Sequence, residues 1–261
     1  MRDNSAPHAS PKVDILVSRS GHVVTAELNR PPNNHFDEPL VADLADLLDE
    51  LRDDPQCRAV VLCSAGKHFC AGANFGDGRG PGNGGALYRQ AVRLFDADVP
   101  IVAAVQGSAV GGGLGLACVA DFRVASPETR FVANFARLGF HHGFGLTVSL
   151  PEIIGRQAAT EMLYTGARID GARALTMGLA DRLVPAEQLR AAAEELAGEI
   201  AAAAPLAVRS IRRTMRHGLA ARVREALDHE LSEQDRLRET EDWAEGIRAS
   251  LERRAPTFQG R

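Results

Sequence analysis

The sequence predicts an α/β protein: a parallel sheet with helical crossovers over about 185 residues, followed by an all-helical remainder. Three observations carry this. Short apolar runs bounded by polar residues recur, as in RAVVLC (58–63) and VPIVAAVQ (99–106), the pattern of strands buried on both faces. Helix-period segments stand between them. After Val184 the strand patterns stop, and the Ala-rich amphipathic AEQLRAAAEELAGEIAAAA (186–204) opens a helical region.

The elements follow in order. Residues 1–11 read as a frayed tail. VDILVS (13–18) and HVVTAELN (22–29) read as two strands around the Ser20-Gly21 turn, and RPPNNH (30–35) breaks the pattern. From Asp37, an N-cap residue, Leu40, Leu44, Leu47, Leu48 and Leu51 share one helix face. GDGRGPGNGG (76–85) holds six glycines in ten residues and predicts a mobile surface loop, with a helix from there to about Phe95. Residues 107–121 form a glycine-rich turn that opens an apolar helix, and DFRVAS (121–126) and RFVA (130–133) read as strands. Strand alternation places Asn134 and Arg137 on the face opposite Phe135, or beyond it. The helical remainder, interrupted at Pro205, is too thin for a core of its own and must pack on the body or on another subunit. The expected division is a tail (1–11), a core (12–195) and a helical region (196–261).

Composition narrows the function. With 34 acidic against 30 basic residues the net charge is −4, which argues against a nucleic-acid partner. Cys57, Cys63, Cys70 and Cys118 form no CxxC pair and no zinc spacing, so they read as free thiols in a reducing compartment. There is no secretory h-region and no apolar run near the ~20 residues of a membrane span, so a soluble cytoplasmic protein is expected. No HExxH motif marks a metal site. Gly66-Lys67 is followed by His68, which excludes a P-loop. Gly107-Ser108-Ala109-Val110-Gly111 places its serine second, which excludes a nucleophile elbow. The glycines of 111–115 miss the dinucleotide spacing.

Two strand-to-glycine-turn junctions remain, AVVLCSAGKHFCAGANF (59–75) and PIVAAVQGSAVGGGLGLA (100–117). Helix starts expose unpaired N–H groups at a positive dipole end. Two of them directed at one point make an oxyanion hole, and small residues let the amides approach a ligand. Close helix–strand packing accounts for either turn alone; the pair points to a site.

These residues carry a resemblance. G-K-x-F-C-A-G-A (66–73), A-V-Q-G-x-A-x-G-G-G (104–113) with A-D at 120–121, the stretch from Tyr164 to Pro185 and the final ETEDWAEGIRASLERRAPTFQGR are similar to the enoyl-CoA hydratase/isomerase (crotonase) superfamily. The resemblance covers nearly everything after residue 12. It implies a crotonase (ClpP-like) spiral of β-β-α repeats, a C-terminal helical region that builds homotrimers or hexamers, and an acyl-CoA thioester as ligand. No metal is implied, and no cofactor beyond the coenzyme A of the substrate. Carried over residue by residue, the oxyanion amides are those of Ala73 and Gly112. The coenzyme A would lie near the 30–36 break and 70–75, taking in Pro32, Asn34, Cys70, Ala71, Asn74 and Phe75. Arg30, Lys67 and a neighbouring subunit's C-terminal Arg are phosphate partners, although solvated surface charge explains these basic residues as well. Gly111, Gly115, Phe135 and Gly143 complete the implied substrate-binding set.

The sequence departs from the family at its two catalytic glutamates, whose places are taken by Gly115 and Phe135. Gly143 stands where the aryl-CoA dehalogenases of the family need an Asp, which removes that branch. Proton transfer must then come from elsewhere, and LGFHHGFGLT (138–147) supplies His141 and His142 as candidate acid or base. They are adjacent, so at most one faces the ligand; loop histidines bonded to solvent or backbone are the alternative. Hydration, decarboxylation, double-bond isomerisation, thioester hydrolysis and binding without chemistry all stay open. The decarboxylases use a lysine near the first oxyanion segment, and none occurs between Ala73 and Leu94. The cluster Arg209, Arg212, Arg213 and Arg216 reads as a subunit contact or a coenzyme A phosphate contact.

Overall fold

The computed structural model describes residues 14–74 and 84–261. The tail at 1–11 and residues 75–83, including Phe75 and most of the glycine-rich stretch, lie outside the described residues. The strands are β1 (Ile15–Ser20), β2 (Val23–Leu28), β3 (Ala59–Ser64), β4 (Ile101–Val105), β5 (Ser108–Val110), β6 (Phe122–Ala125), β7 (Arg130–Val132), β8 (Arg168–Asp170) and β9 (Arg182–Leu183). The helices are α1 (Glu38–Asp53), α2 (Gly84–Phe95), α3 (Gly112–Val119), α4 (Leu146–Ile154), α5 (Arg156–Thr165), α6 (Gly171–Thr176), α7 (Leu189–Ala202), α8 (Pro205–Met215), α9 (Leu219–Arg238) and α10 (Glu241–Glu252).

A six-stranded sheet runs β1-β2-β3-β4-β6-β9. Only β1 and β2 pair antiparallel; the rest is parallel, as buried crossover strands require. A second, three-stranded sheet runs β5-β7-β8. Its first strand is the three-residue SAV inside the glycine turn, which no periodicity announces. The expected N-cap holds: the Asp37 carboxylate accepts the Leu40 N–H at 3.1 Å.

Buried residues of α1, α2, α3 and α4 form one apolar cluster with one face of the main sheet. On the other lies α7, whose Ala193, Ala197 and Ala201 press on Val61, Cys63, Val102 and Ala104. Alanines on the helix let the two backbones approach closely. This helix crosses residues 195 and 196. Helix α8 is tied to the body by its arginines: Arg212 and Arg216 reach Asp121 at 2.9 and 3.2 Å, and Arg213 reaches Asp98 at 3.3 Å. The cluster therefore binds carboxylates of its own chain. Helix α9 packs on α2 and α4, and α10 packs on the one-turn helix 136–138, where Gly246 lets it meet the Leu138 backbone.

Candidate active site

The two glycine turns meet. A parallel bridge joins Cys70 to Ala109, with the Cys70 N–H donating to the Ser108 carbonyl (3.1 Å) and the Val110 N–H to the Cys70 carbonyl (3.0 Å). Gly72 has φ +83 and presses on the second turn: a side-chain carbon there would lie 2.7 Å from the Val110 oxygen and 4.0 Å from the Gly112 nitrogen. Gly111 has φ +57 and donates its N–H to the Val132 carbonyl at 2.8 Å, a conformation open to glycine that swings the chain into α3. Gly112 is then the first helical residue, with no intrahelical acceptor for its N–H. Phe36 bridges to Ala73 through the Gly72 carbonyl (3.2 Å), which leaves the Ala73 amide outside the bridge. Among the described residues neither the Ala73 nor the Gly112 N–H has an acceptor.

Both amides border one cavity of about 300 Å³. Its apolar wall is Phe36, Leu87, Phe135, Leu138, Phe140 and Phe144. The Phe36 ring lies over Gly112, leaving no space for a methyl group. Phe140 is wedged edge-on between Phe135 (5.6 Å) and Trp243 of α10 (4.6 Å). Farther from the turns, the Tyr88 hydroxyl donates to the Gln234 carboxamide oxygen (2.9 Å), whose nitrogen donates to the His141 carbonyl (3.0 Å). Burial pushes the Tyr88 phenol up. Gly143 is required here, because a side chain would overlap the Tyr88 hydroxyl.

Ala71, Ala73, Asn74, Gly111, Gly112, Phe135 and Gly143 thus come together on this wall. Gly115 does not. It is buried inside α3, and a carbon added there would sit 2.7–2.9 Å from Phe144. Phe144 holds its ring in that space from the left-handed region, at φ +62. Gly115 and Phe144 therefore fit each other, and the space a side chain at 115 would take is filled by an aromatic ring.

His141 and His142, the candidate acid or base residues, are not among the residues that line the cavity. The reason lies in the anchoring of their loop. Glu230 of α9, fully buried, accepts the N–H groups of Gly145 (2.9 Å) and Thr147 (3.0 Å) and the Thr147 hydroxyl (2.6 Å), capping the start of α4. The Thr147 hydroxyl, donating to Glu230, accepts from His142 Nε2 at 2.8 Å. The His141 ring stacks on His142 at 4.1 Å and donates from Nδ1 to the His142 carbonyl. Burial, with His141 and His229 alongside, brings the His142 imidazole down to about 3.

Arg30, Pro32, Asn34, Lys67 and Cys70 are not among the residues that line this cavity. Arg30 pairs with Asp14 (2.6 Å) and Asp37 (2.7 Å). Asn34 is fully buried and clips two segments, accepting from the Arg30 N–H and donating to the Ala65 and His68 carbonyls (both 2.7 Å). The Pro32 carbonyl accepts the N–H groups of Lys67 and His68 (3.1 and 3.2 Å), and the Lys67 side chain is exposed. Cys70 is in the core, its thiol pushed up to about 12 by burial, a poor nucleophile. Asn134 shares the cavity wall with Phe135, contrary to strand alternation, because β7 stops at Val132 and a tight helical turn follows. Sequence reasoning also missed His35, Tyr88, Gln234 and Arg238, all on the wall. His35 sits in a segment with no periodicity, and Gln234 reaches the site from 146 positions beyond Tyr88.

The spiral α/β body thus brings two unpaired backbone amides, from separate glycine turns, to the wall of one apolar cavity. The family model for enoyl-CoA hydratase/isomerase matches residues 18–261, and the chain belongs to that family of acyl-CoA-transforming enzymes. It is 34% identical over 259 residues to the carnitinyl-CoA dehydratase of Proteus mirabilis, covering 95% of this chain and 98% of the relative. The crystal structure of an enoyl-CoA hydratase/isomerase from Pseudoalteromonas atlantica superposes with a TM-score of 0.86 at 29% identity, covering 95% of this chain and 100% of the other. An enoyl-CoA hydratase from Mycobacterium avium subsp. paratuberculosis gives 0.83 at 25% identity, with the same coverage.

Proposed function

We propose that this enzyme binds an acyl-CoA thioester with its carbonyl oxygen between the Ala73 and Gly112 amides and carries it through an enolate-like intermediate. The observation behind this reading is that both amides are unpaired on the wall of one cavity. Each such donor contributes about 2.7–4 kcal/mol in enzymes where it has been removed. The similarity to carnitinyl-CoA dehydratase favours a lyase-type reaction. Lining by phenylalanines at 36, 135, 140 and 144 supports an acyl group that is largely apolar. The reaction uses the coenzyme A of the substrate and no further cofactor. A second reading, acyl-CoA binding without turnover, is favoured by the Phe144 ring in the space beside Gly115.

The protein works as a homotrimer or a dimer of trimers. Helix α8 supports this: Ile211 and Met215, one turn apart, are 62% and 80% exposed on a single chain, a face that a second copy would cover. Among the described residues no helix is long and apolar enough to cross a membrane, and a cytoplasmic location fits the reduced thiols.

The test is mass-resolved product analysis with unsaturated, 3-hydroxy, malonyl-type and saturated acyl-CoA thioesters, carnitinyl-CoA included. Gain or loss of one water supports a hydratase or dehydratase. Release of carbon dioxide or of free coenzyme A moves the reaction to decarboxylation or hydrolysis. Saturable binding with no product supports the second reading, and absence of binding refutes both.

A further inference from the structure

The cavity presents two unpaired backbone amides that could hold an enolate oxygen, and among the described residues no carboxylate lines it to move the proton. Among the described residues, its ionisable side chains are His35, Tyr88 and Arg238. The Tyr88 phenol is buried, pushed up, and already donating to Gln234. Arg238 is paired with Asp235 at 2.9 Å, and a guanidinium does not release its proton in a protein. His35 differs from both. It is half-buried on the cavity wall, next to Phe36, whose ring covers Gly112. Its Nδ1 donates to the Gly72 carbonyl at 3.1 Å, and Gly72 immediately precedes the Ala73 amide. That bond fixes the tautomer: with the proton on Nδ1, Nε2 carries the lone pair. Among the described residues Nε2 has no hydrogen-bond partner.

We infer that His35 is the proton carrier of this site. This rests on the acyl-CoA reading above and adds the group that completes it. Nε2 takes a proton from the carbon next to the thioester carbonyl. The C–H bond breaks, an N–H bond forms at Nε2, and the electron pair moves into the carbonyl. The resulting enolate oxygen is held by the Ala73 and Gly112 amides. Return of a proton from Nε2 restores the thioester. The same carbonyl that orients the ring also stabilises the imidazolium while the proton is held, so the turn that supplies an oxyanion donor also positions the base.

The reversible half of this step is measurable without knowing the natural substrate. Butanoyl-CoA is incubated with the full-length protein in deuterium oxide, and α-deuteration is followed by mass spectrometry, with binding measured in parallel by calorimetry. The wild type is expected to bind and to exchange. His35→Gln is expected to lose at least about 100-fold in exchange rate, at the lower end of what a positioned acid or base contributes, while its Kd changes less than about threefold. His35→Ala is expected to regain exchange when free imidazole is added, which a purely structural role would not produce. His217→Gln, outside the cavity, should stay within about twofold. Exchange retained within threefold in both His35 variants, or absence of imidazole rescue, overturns the assignment. A wild type that binds butanoyl-CoA without exchanging it also overturns the assignment and leaves the binding site standing. A wild type that does not bind overturns the acyl-CoA reading and this inference together.

Discussion

Restoring a glutamate at position 115 should fail, and the structure says by how much. A side-chain carbon there meets Phe144 at 2.7–2.9 Å in a buried helix. Overpacking of this kind costs about 1–3 kcal/mol. Replacing a helical glycine returns about 1 kcal/mol of backbone entropy, so Gly115→Ala should lose about 0–2 kcal/mol. Gly115→Glu adds a carboxylate against an aromatic ring with no cation beside it. An uncompensated buried charge costs about 3–5 kcal/mol. The total is at least about 3 kcal/mol, or a fall in Tm of at least about 6 °C for a domain of this size. Thermal unfolding of Gly115→Ala, Gly115→Glu, Phe144→Gly and Gly115→Glu/Phe144→Gly gives a double-mutant cycle. The double variant should be more stable than the sum of the singles by at least about 1 kcal/mol, because removing the ring opens the space and relieves the φ +62 backbone. Hydration of crotonyl-CoA should stay at the wild-type level in Gly115→Glu. A Gly115→Glu protein as stable as the wild type, or one that gains hydratase activity alone, refutes the idea that Phe144 occupies the carboxylate position.

Three further outcomes follow from the same geometry. Gly112→Ala pushes the Phe36 ring off its seat and should weaken acyl-CoA binding at least about tenfold in calorimetry, a loss of about 1.4 kcal/mol; an unchanged Kd would place the ligand elsewhere. Glu230→Ala strands the Gly145 and Thr147 N–H groups and the Thr147 hydroxyl at the start of α4 and should cost about 3 kcal/mol or more in urea unfolding, at about 1–3 kcal/mol per orphaned donor; a loss under 1 kcal/mol would show that the cap does not hold the loop. His142, brought down to about 3 in the folded protein, takes up its proton first in the unfolded chain, so its contribution is present above about pH 6.5 and is lost as pH falls toward 3, with a slope of up to about 1.4 kcal/mol per pH unit. The acid arm of the stability curve should therefore flatten in His142→Asn, and equal slopes in the two proteins would disprove the burial of that ring.

What could be read from the sequence was whatever is encoded contiguously. RAVVLC and VPIVAAVQ announce β3 and β4 because a strand buried on both faces is apolar at every position. Both oxyanion turns were visible because each is a strand running directly into small residues. The three-residue β5 was not, since Ser108, Ala109 and Val110 carry no period of their own and are a strand only because β7 lies beside them. Asn134 was misplaced for the complementary reason: alternation applies to a strand, and β7 ends two residues earlier. The fit of Phe144 to Gly115 joins a loop to the interior of a helix, and neither residue signals the other. His35 resembles any histidine in a loop until the fold lays the first turn against it.

The pattern of loss and retention has a physical cause. The oxyanion donors proposed above are backbone amides, and the turns that present them are packed too closely for side chains: Gly72 against the Val110 carbonyl, Gly112 against the Phe36 ring, and Gly113 against the Cys70 backbone. Changing any of these disturbs the contact between two buried strands, so the hole is protected by the same packing that stabilises the sheet. The proton-transfer positions have no such protection. A carboxylate inside an apolar wall lowers stability unless it is paired, and its replacement by a glycine that admits a neighbouring ring, or by a phenylalanine that fills the space itself, improves the core. On the proposed reading the fold therefore retains charge stabilisation at the carbonyl oxygen while the proton carrier is free to move to any residue on the cavity wall. Here the residue that meets that requirement is His35, held by the oxyanion turn itself through the Gly72 carbonyl.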